Sequence, residues 1–189
     1  MIRMRGEEDL SVWERLQGAE LEKAKQMILD VLPGNQECYM RAVSITKDKR
    51  AIDKLKITAD DARDLHARAY AAKILFDWTG YKDYEQILDE VFESDNQWSK
   101  TSLDYWIAGL PENLALKYFR KAMNDKDSFV RYCAYEALER YYGVWEFRNS
   151  GVEIKYFTDE EVYQDKEIFL SRQKELEEKI RLWSAGIKA

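Results

Sequence analysis

Apolar residues recur along this chain at helical spacing, in amphipathic runs broken by short polar stretches. Over residues 20–32, Leu21, Ala24, Met27, Ile28 and Val31 fall on one predicted helical face, and Pro33-Gly34-Asn35 ends the run. Residues 36–46 form its return helix. Residues 49–57 turn Ala51, Ile52 and Leu55 inward, and the segment 59–79 holds the next return helix. Residues 82–93 then group Tyr84, Ile87, Leu88 and Val91, and residues 99–110 group Leu103, Trp106, Ile107 and Leu110. The stretch 115–143 is the most regular. Leu116, Phe119 and Met123 share a face of its first helix; Val130, Ala134, Ala137, Leu138 and Tyr141 share a face of its second. Only Asn124-Asp125-Lys126-Asp127 lies between, which permits a tight turn and therefore antiparallel helices. Asp127 or Ser128 can cap the second helix, and Gly143 accepts the left-handed conformation of a C-cap. Upstream, Asp9-Leu10-Ser11 opens a short helix whose Trp13 and Leu16 are expected to cover the outer edge; residues 1–8 are expected to fray.

The pattern repeats. Asp64, Ala67, Arg68, Ala71, Ile74, Leu75 and Gly80 reappear 63 positions later as Asp127, Val130, Arg131, Ala134, Ala137, Leu138 and Gly143. That shift equals two units of about 31–32 residues, with the hairpin 82–110 between them. Met40-Arg41-Ala42-Val43 stands 32 positions before Ala72-Lys73-Ile74-Leu75 and marks the unit before. A single hairpin cannot bury its own apolar face, so such units are expected to stack.

The sequence Asp-x-x-Val-Arg-x-x-Ala-x-x-Ala-Leu, ending in Gly, resembles a HEAT repeat of the short type seen in phycobilin-lyase-like proteins. The resemblance implies an all-α fold over residues 9–143: a right-handed α–α superhelix, or HEAT-like α-solenoid, of about four helical hairpins. It implies that Asp64 with Arg68, and Asp127 with Arg131, correspond to the Asp and Arg that form a ladder between repeats. It also implies that return helices line a concave face. Tyr132, Tyr135, Glu136, Glu139 and Tyr142 would lie there on the last unit, Asp104 and Tyr105 on the unit before, and Lys73 and Phe76 on the one before that. Tyr beside acids is an interface-like composition, because Tyr adds contact area at small entropic cost.

After Gly143 the period changes to two. Residues 144–157 alternate around Asn149-Ser150-Gly151 and read as a β-hairpin; the alternative is an irregular loop that tucks Trp145 and Phe147 under the last repeat. Thr158-x-x-Glu161 is a capping box that opens a helix over 158–184, with Val162, Phe169, Leu176, Ile180 and Trp183 in one stripe. That helix either caps the solenoid or offers its stripe to a partner. Capping is the expectation, since an exposed stripe with Trp183 would aggregate. The chain, 1–189, is expected to be one domain, and a monomer unless that stripe pairs.

Composition narrows the chemistry. Apolar residues make up 46%, which excludes a disordered chain, and 35% charged residues suit a solenoid with its large surface. A net charge of −6 weighs against a nucleic-acid binder, which needs a basic stripe. Cys38 and Cys133 sit in different repeats without metal-ligand spacing, and fit reduced thiols in the cytoplasm. The N-terminus lacks the apolar run of a signal peptide, and no run is long enough to span a membrane. His66 is the only histidine, so no site with two imidazoles can form and the HEAT-type metal hydroxylases are excluded. A Cys/His nucleophile pair would need His66 to meet a cysteine from a core-like position. Asp60-Asp61 and Asp89-Glu90 lack a calcium-loop spacing. No phosphate loop or nucleophile elbow is present. The expectation is therefore a non-enzymatic module without cofactor or metal that binds another protein. A bacterial immunity or antitoxin protein that blocks a basic nuclease toxin is one subtype. HEAT-like DNA glycosylases and phycobilin lyases are the alternatives.

Overall fold

A computed structural model of the chain describes residues 13, 15–34, 37–141 and 178. Nine α-helices and one 3-10 turn carry the described residues, with no strand among them. The chain divides into two compact units, Met1–Val91 and Phe92–Ala189.

In the first unit, α1 (Gly18–Val31) packs on α2 (Glu37–Thr46), and α2 packs on α4 (Leu65–Thr79). The 3-10 turn Lys49–Ala51 leads into α3 (Ile52–Asp61), which also packs on α4. Ala62 is extended, so α3 ends there, and Asp64 starts α4 by accepting the His66 N–H at 3.0 Å. Gly80 closes α4 with φ 70°, a left-handed backbone that a β-carbon would strain. The core is built from Met40, Ala42 and Val43 of α2, Leu55 and Ala59 of α3, and Ala67, Ala71, Ile74 and Leu75 of α4, all buried. Alanines at the contact let the helices approach closely. The next helix, α5 (Tyr84–Glu93), buries Tyr84, Ile87, Leu88 and Val91, as the periodicity requires.

In the second unit, α9 (Ser128–Tyr141) lies against α6 (Gln97–Lys100), α7 (Leu103–Ile107) and α8 (Glu112–Met123). Pro111 precedes α8 and its carbonyl accepts the Leu114 and Ala115 N–H groups. Trp106, Tyr118, Phe119, Met123, Val130, Ala134 and Leu138 form the core. The four apolar helix positions that repeat at a shift of 63, Ala67/Val130, Ala71/Ala134, Ile74/Ala137 and Leu75/Leu138, are buried in both units.

Two expectations need correction. The return helix over 99–110 is not continuous: α6 ends after Lys100 and α7 begins at Leu103. Ser102 leaves helical geometry (φ −82°, ψ 37°), and the Thr101 hydroxyl donates to the Trp98 carbonyl at 3.0 Å. Adjacent hydroxyl residues compete for backbone partners in this way. Met27 and Val31, expected inward, are 62% and 44% exposed, whereas Ile28, Leu29 and Leu32 are buried. Ile28 belongs to two overlapping apolar stripes, and the neighbour α2 decides which one is covered. The hairpin or loop expected at 144–157, the helix at 158–184 apart from Glu178, the cap Gly143, and residues 9–12 lie outside the described residues.

Candidate interaction surface

Three return segments open on the same device. A short side-chain oxygen accepts the backbone N–H two residues later: Asp64 from His66 at 3.0 Å, Asn96 from Trp98 at 3.1 Å, and Asp127 from Phe129 at 2.8 Å. Asp127 also accepts the Val130 N–H at 3.2 Å. The residue receiving the cap is each time a ring, at His66, Trp98 and Phe129. This places a ring in the first turn, pointing away from the core face that begins one residue later at Ala67 and Val130.

In the second unit these rings gather. Trp98 is 64% exposed and Phe129 40% exposed, and they meet edge-on with centroids 6.0 Å apart. Phe129 lies nearly parallel to Tyr132, one turn further along α9, at 6.4 Å and 13°. The Tyr132 hydroxyl donates to Glu136 Oε1 at 2.7 Å. Phe129, Tyr132 and Glu136 stand at i, i+3 and i+7, so one helix face carries a strip that starts in aromatic surface and ends in a carboxylate.

The charges around it are largely matched. Arg140 Nη1 donates to Asp104 at 2.9 Å, and Lys126 donates to Asp95 at 2.6 Å. The hydrogen bond from Lys126 holds the Asp95 carboxyl below its ordinary range, and the same bond raises Lys126. Burial pushes the Cys133 thiol up to about 11, with the Glu136 and Asp104 carboxylates adding to it, so it is a neutral thiol at neutral pH. An apolar cleft of about 310 Å³ opens between α7, α8 and α9, with Ile107, Phe119 and Ala137 in its walls and the Asp104–Arg140 pair among its lining residues.

Tyr132 and Glu136 are thus brought together, and Asp104 is exposed beside Arg140. Tyr105 is half-buried, its ring edge-on to Trp106 at 5.0 Å, and Phe76 is half-buried against Tyr84 at 5.1 Å. Tyr135 and Lys73 correct the expected exposed face, because both are buried. The reason is the number of neighbours. Among the described residues α9 packs on α6, α7 and α8, and α4 packs on α2 and α3 and meets α5 through Arg68 and Phe76, so each buries an arc wider than a single stripe. The enclosed Lys73 side chain keeps its charge paired with the more exposed Asp77 one turn away. The Glu139 side chain and Tyr142 lie outside the described residues. Trp98 and Phe129 escape a reading based on stripes, since one precedes the predicted helix start and the other adjoins inward Val130. Their equal distance from Asn96 and Asp127 was the available signal.

Asp64 and Asp127 spend their carboxylates on helix caps. Arg68 donates through Nε to the Ala59 carbonyl at 3.0 Å and through Nη1 to Glu90 at 2.6 Å, tying α4 to the end of α3 and to α5. Arg131 Nη1 donates to the Asp125 and Lys126 carbonyls at 2.9 and 3.0 Å. Arg131 thus holds the turn ahead of its own helix, whereas Arg68 joins its helix to the last turn of α3 and to α5. Arg68→Ala and Arg131→Ala are each expected to cost about 1.5–3 kcal/mol, the range for hydrogen bonds to charged groups. Thermal denaturation checks this, and wild-type melting temperatures would mean that water replaces the guanidinium without loss.

Among the described residues no group of three or more His, Cys, Asp and Glu could hold a metal ion, and no helix is long and apolar enough to cross a membrane. Comparison with protein-family models, with curated proteins and with solved structures finds no match.

Proposed function

We propose that this chain is a protein-binding module rather than an enzyme, a HEAT-like α-solenoid of about four hairpins whose return-helix surface meets a partner protein with a basic face. The observation that carries the reading is the strip in which exposed Trp98 and Phe129 continue into half-buried Tyr132 and Glu136. Exposed rings in mutual contact are costly to leave in water and are typical of interface centres. Helix packing of α2 on α4 and of α7 on α9, with the repeat spacing, supports stacking of return helices. The net charge of −6 favours a basic partner by steering its approach. A bacterial immunity or antitoxin protein acting on a basic toxin is the subtype that fits this chemistry.

The test is purification of the tagged chain from its source cells, identification of what co-elutes, and reconstitution from the two purified proteins in a calorimeter. A stoichiometric complex is expected, and the double variant Tyr132→Ala/Glu136→Lys should weaken it about thirtyfold, the scale of losing a central interface residue. Failure of the purified pair to bind would overturn the reading. So would a DNA shift with a steep salt slope, which would point to a nucleic-acid-acting protein.

A further inference from the structure

Resting on that reading, we propose that the strip Trp98–Phe129–Tyr132–Glu136 receives an arginine side chain from a basic peptide segment of the partner. The strip combines two chemistries that a guanidinium satisfies together. Exposed Trp98 and Phe129 offer ring surface on which a planar cation stacks, and the Glu136 carboxylate offers acceptors for the cation's N–H groups. Glu136 is half-buried, and its carboxylate has no cation within ion-pair distance among the described residues; the Tyr132 hydroxyl is its hydrogen-bond donor. The cations of the same unit that could have served it are engaged elsewhere. Arg140, one turn along α9, is held by Asp104 at 2.9 Å. Arg131 faces the other side of the helix and is buried, bonded to the Asp125 and Lys126 carbonyls. Lys126 is held by Asp95 at 2.6 Å. The first-turn N–H groups of Phe129 and Val130 are consumed by Asp127, so this end of α9 does not present a competing anion site.

The occupant is an arginine rather than a lysine, because a flat guanidinium can lie on a ring while its edge reaches a carboxylate. An ammonium is a compact, strongly hydrated charge that does neither as well. Trp98, the most exposed ring, would cover the aliphatic stem; the Tyr132–Glu136 hydrogen bond holds the carboxylate in place before binding, which lowers the ordering cost.

The experiment uses the full chain and fluorescein-labelled peptides of repeated Gly-Leu-Arg, with counterparts carrying lysine or citrulline at every arginine. Anisotropy titration at low salt should give tightest binding for the arginine peptide, weaker binding for lysine, and at least about tenfold loss for citrulline, which keeps the shape and removes the charge. Trp98→Ala and Phe129→Ala should each weaken the arginine peptide about tenfold. Both side chains are exposed, so these variants should melt like wild type. Glu136→Gln, close to isosteric, should weaken binding about three- to tenfold and flatten its salt dependence. Equal binding of arginine and citrulline peptides would overturn the proposal, as would undiminished binding by Trp98→Ala and Phe129→Ala, or no binding of any peptide at millimolar concentration. A DNA oligonucleotide that binds wild type and is lost in the same variants would overturn it in favour of a nucleic acid. If a reconstituted partner binds Trp98→Ala and Phe129→Ala as tightly as wild type, the arginine receptor fails while the protein-binding function stands.

Discussion

Asp125→Ala is expected to lower the unfolding free energy by about 3–5 kcal/mol, because it strands a buried ammonium. Lys100 Nζ lies 2.6 Å from Asp125 Oδ2, and the two side chains are 7% and 9% exposed. Neither charge can regain water without opening the contact between the end of α6 and the turn before α9. The same carboxylate accepts the Asp127 N–H at 2.9 Å, so it also shapes the turn that presents the Asp127 cap and the carbonyls bound by Arg131. Removing it therefore weakens several hydrogen bonds at once. Asp125→Asn retains an acceptor and should cost less. Lys100→Met/Asp125→Leu removes both charges and replaces them with apolar volume, and should recover most of the loss, since the gain from a buried pair barely exceeds its desolvation penalty. Urea unfolding followed by circular dichroism measures all three. A single Asp125→Ala variant as stable as wild type would mean that the pair is solvated in solution.

Trp106→Ala should cost a similar amount, about 3–5 kcal/mol, through the cavity it leaves. The indole is fully buried, and its Nε1–H donates to the Ser99 carbonyl at 3.1 Å. That bond crosses the break between α6 and α7, where the carbonyl has lost the continuous helix that would have supplied its partner. Trp106 therefore fills the core and bridges the interruption with one side chain. Trp106→Phe separates the two roles. It keeps much of the volume and removes the donor, so it should cost about 1–3 kcal/mol, the penalty for an unsatisfied buried acceptor. A Phe variant as damaging as Ala would place nearly the whole effect on the hydrogen bond. Amide exchange over residues 97–107 gives an independent reading, with faster exchange expected there in both variants.

How far the sequence reached is clearest on α9. Val130, Ala134, Ala137 and Leu138 form a stripe readable from spacing alone, and all four are buried. A cap at Asp127 or Ser128, of which Asp127 is the acceptor, and the 63-position echo in α4 were equally legible, because capping and helical period are local properties of a few neighbouring residues. Tyr135 was not legible. It sits at the edge of the stripe, and among the described residues α9 packs on more than one helix, which a single stripe does not anticipate. The same cause buries Lys73 in α4, and the lack of it leaves Met27 and Val31 of α1 in water. The break at Thr101-Ser102 was also hidden, since its compensation, the Trp106 bond to Ser99, joins groups that become partners only after folding. So it is with the surface strip. Three cap-plus-two positions carry rings in the sequence, but edge-on contact of Trp98 with Phe129 requires α6 and α9 to be brought side by side. The sequence by itself determined the period and order of most of the described helices and the centre of the buried face on α4, α5 and α9. The tertiary structure decided how wide each face is and which outward residues meet, because those depend on the number and placement of neighbouring helices, which a one-dimensional period does not encode.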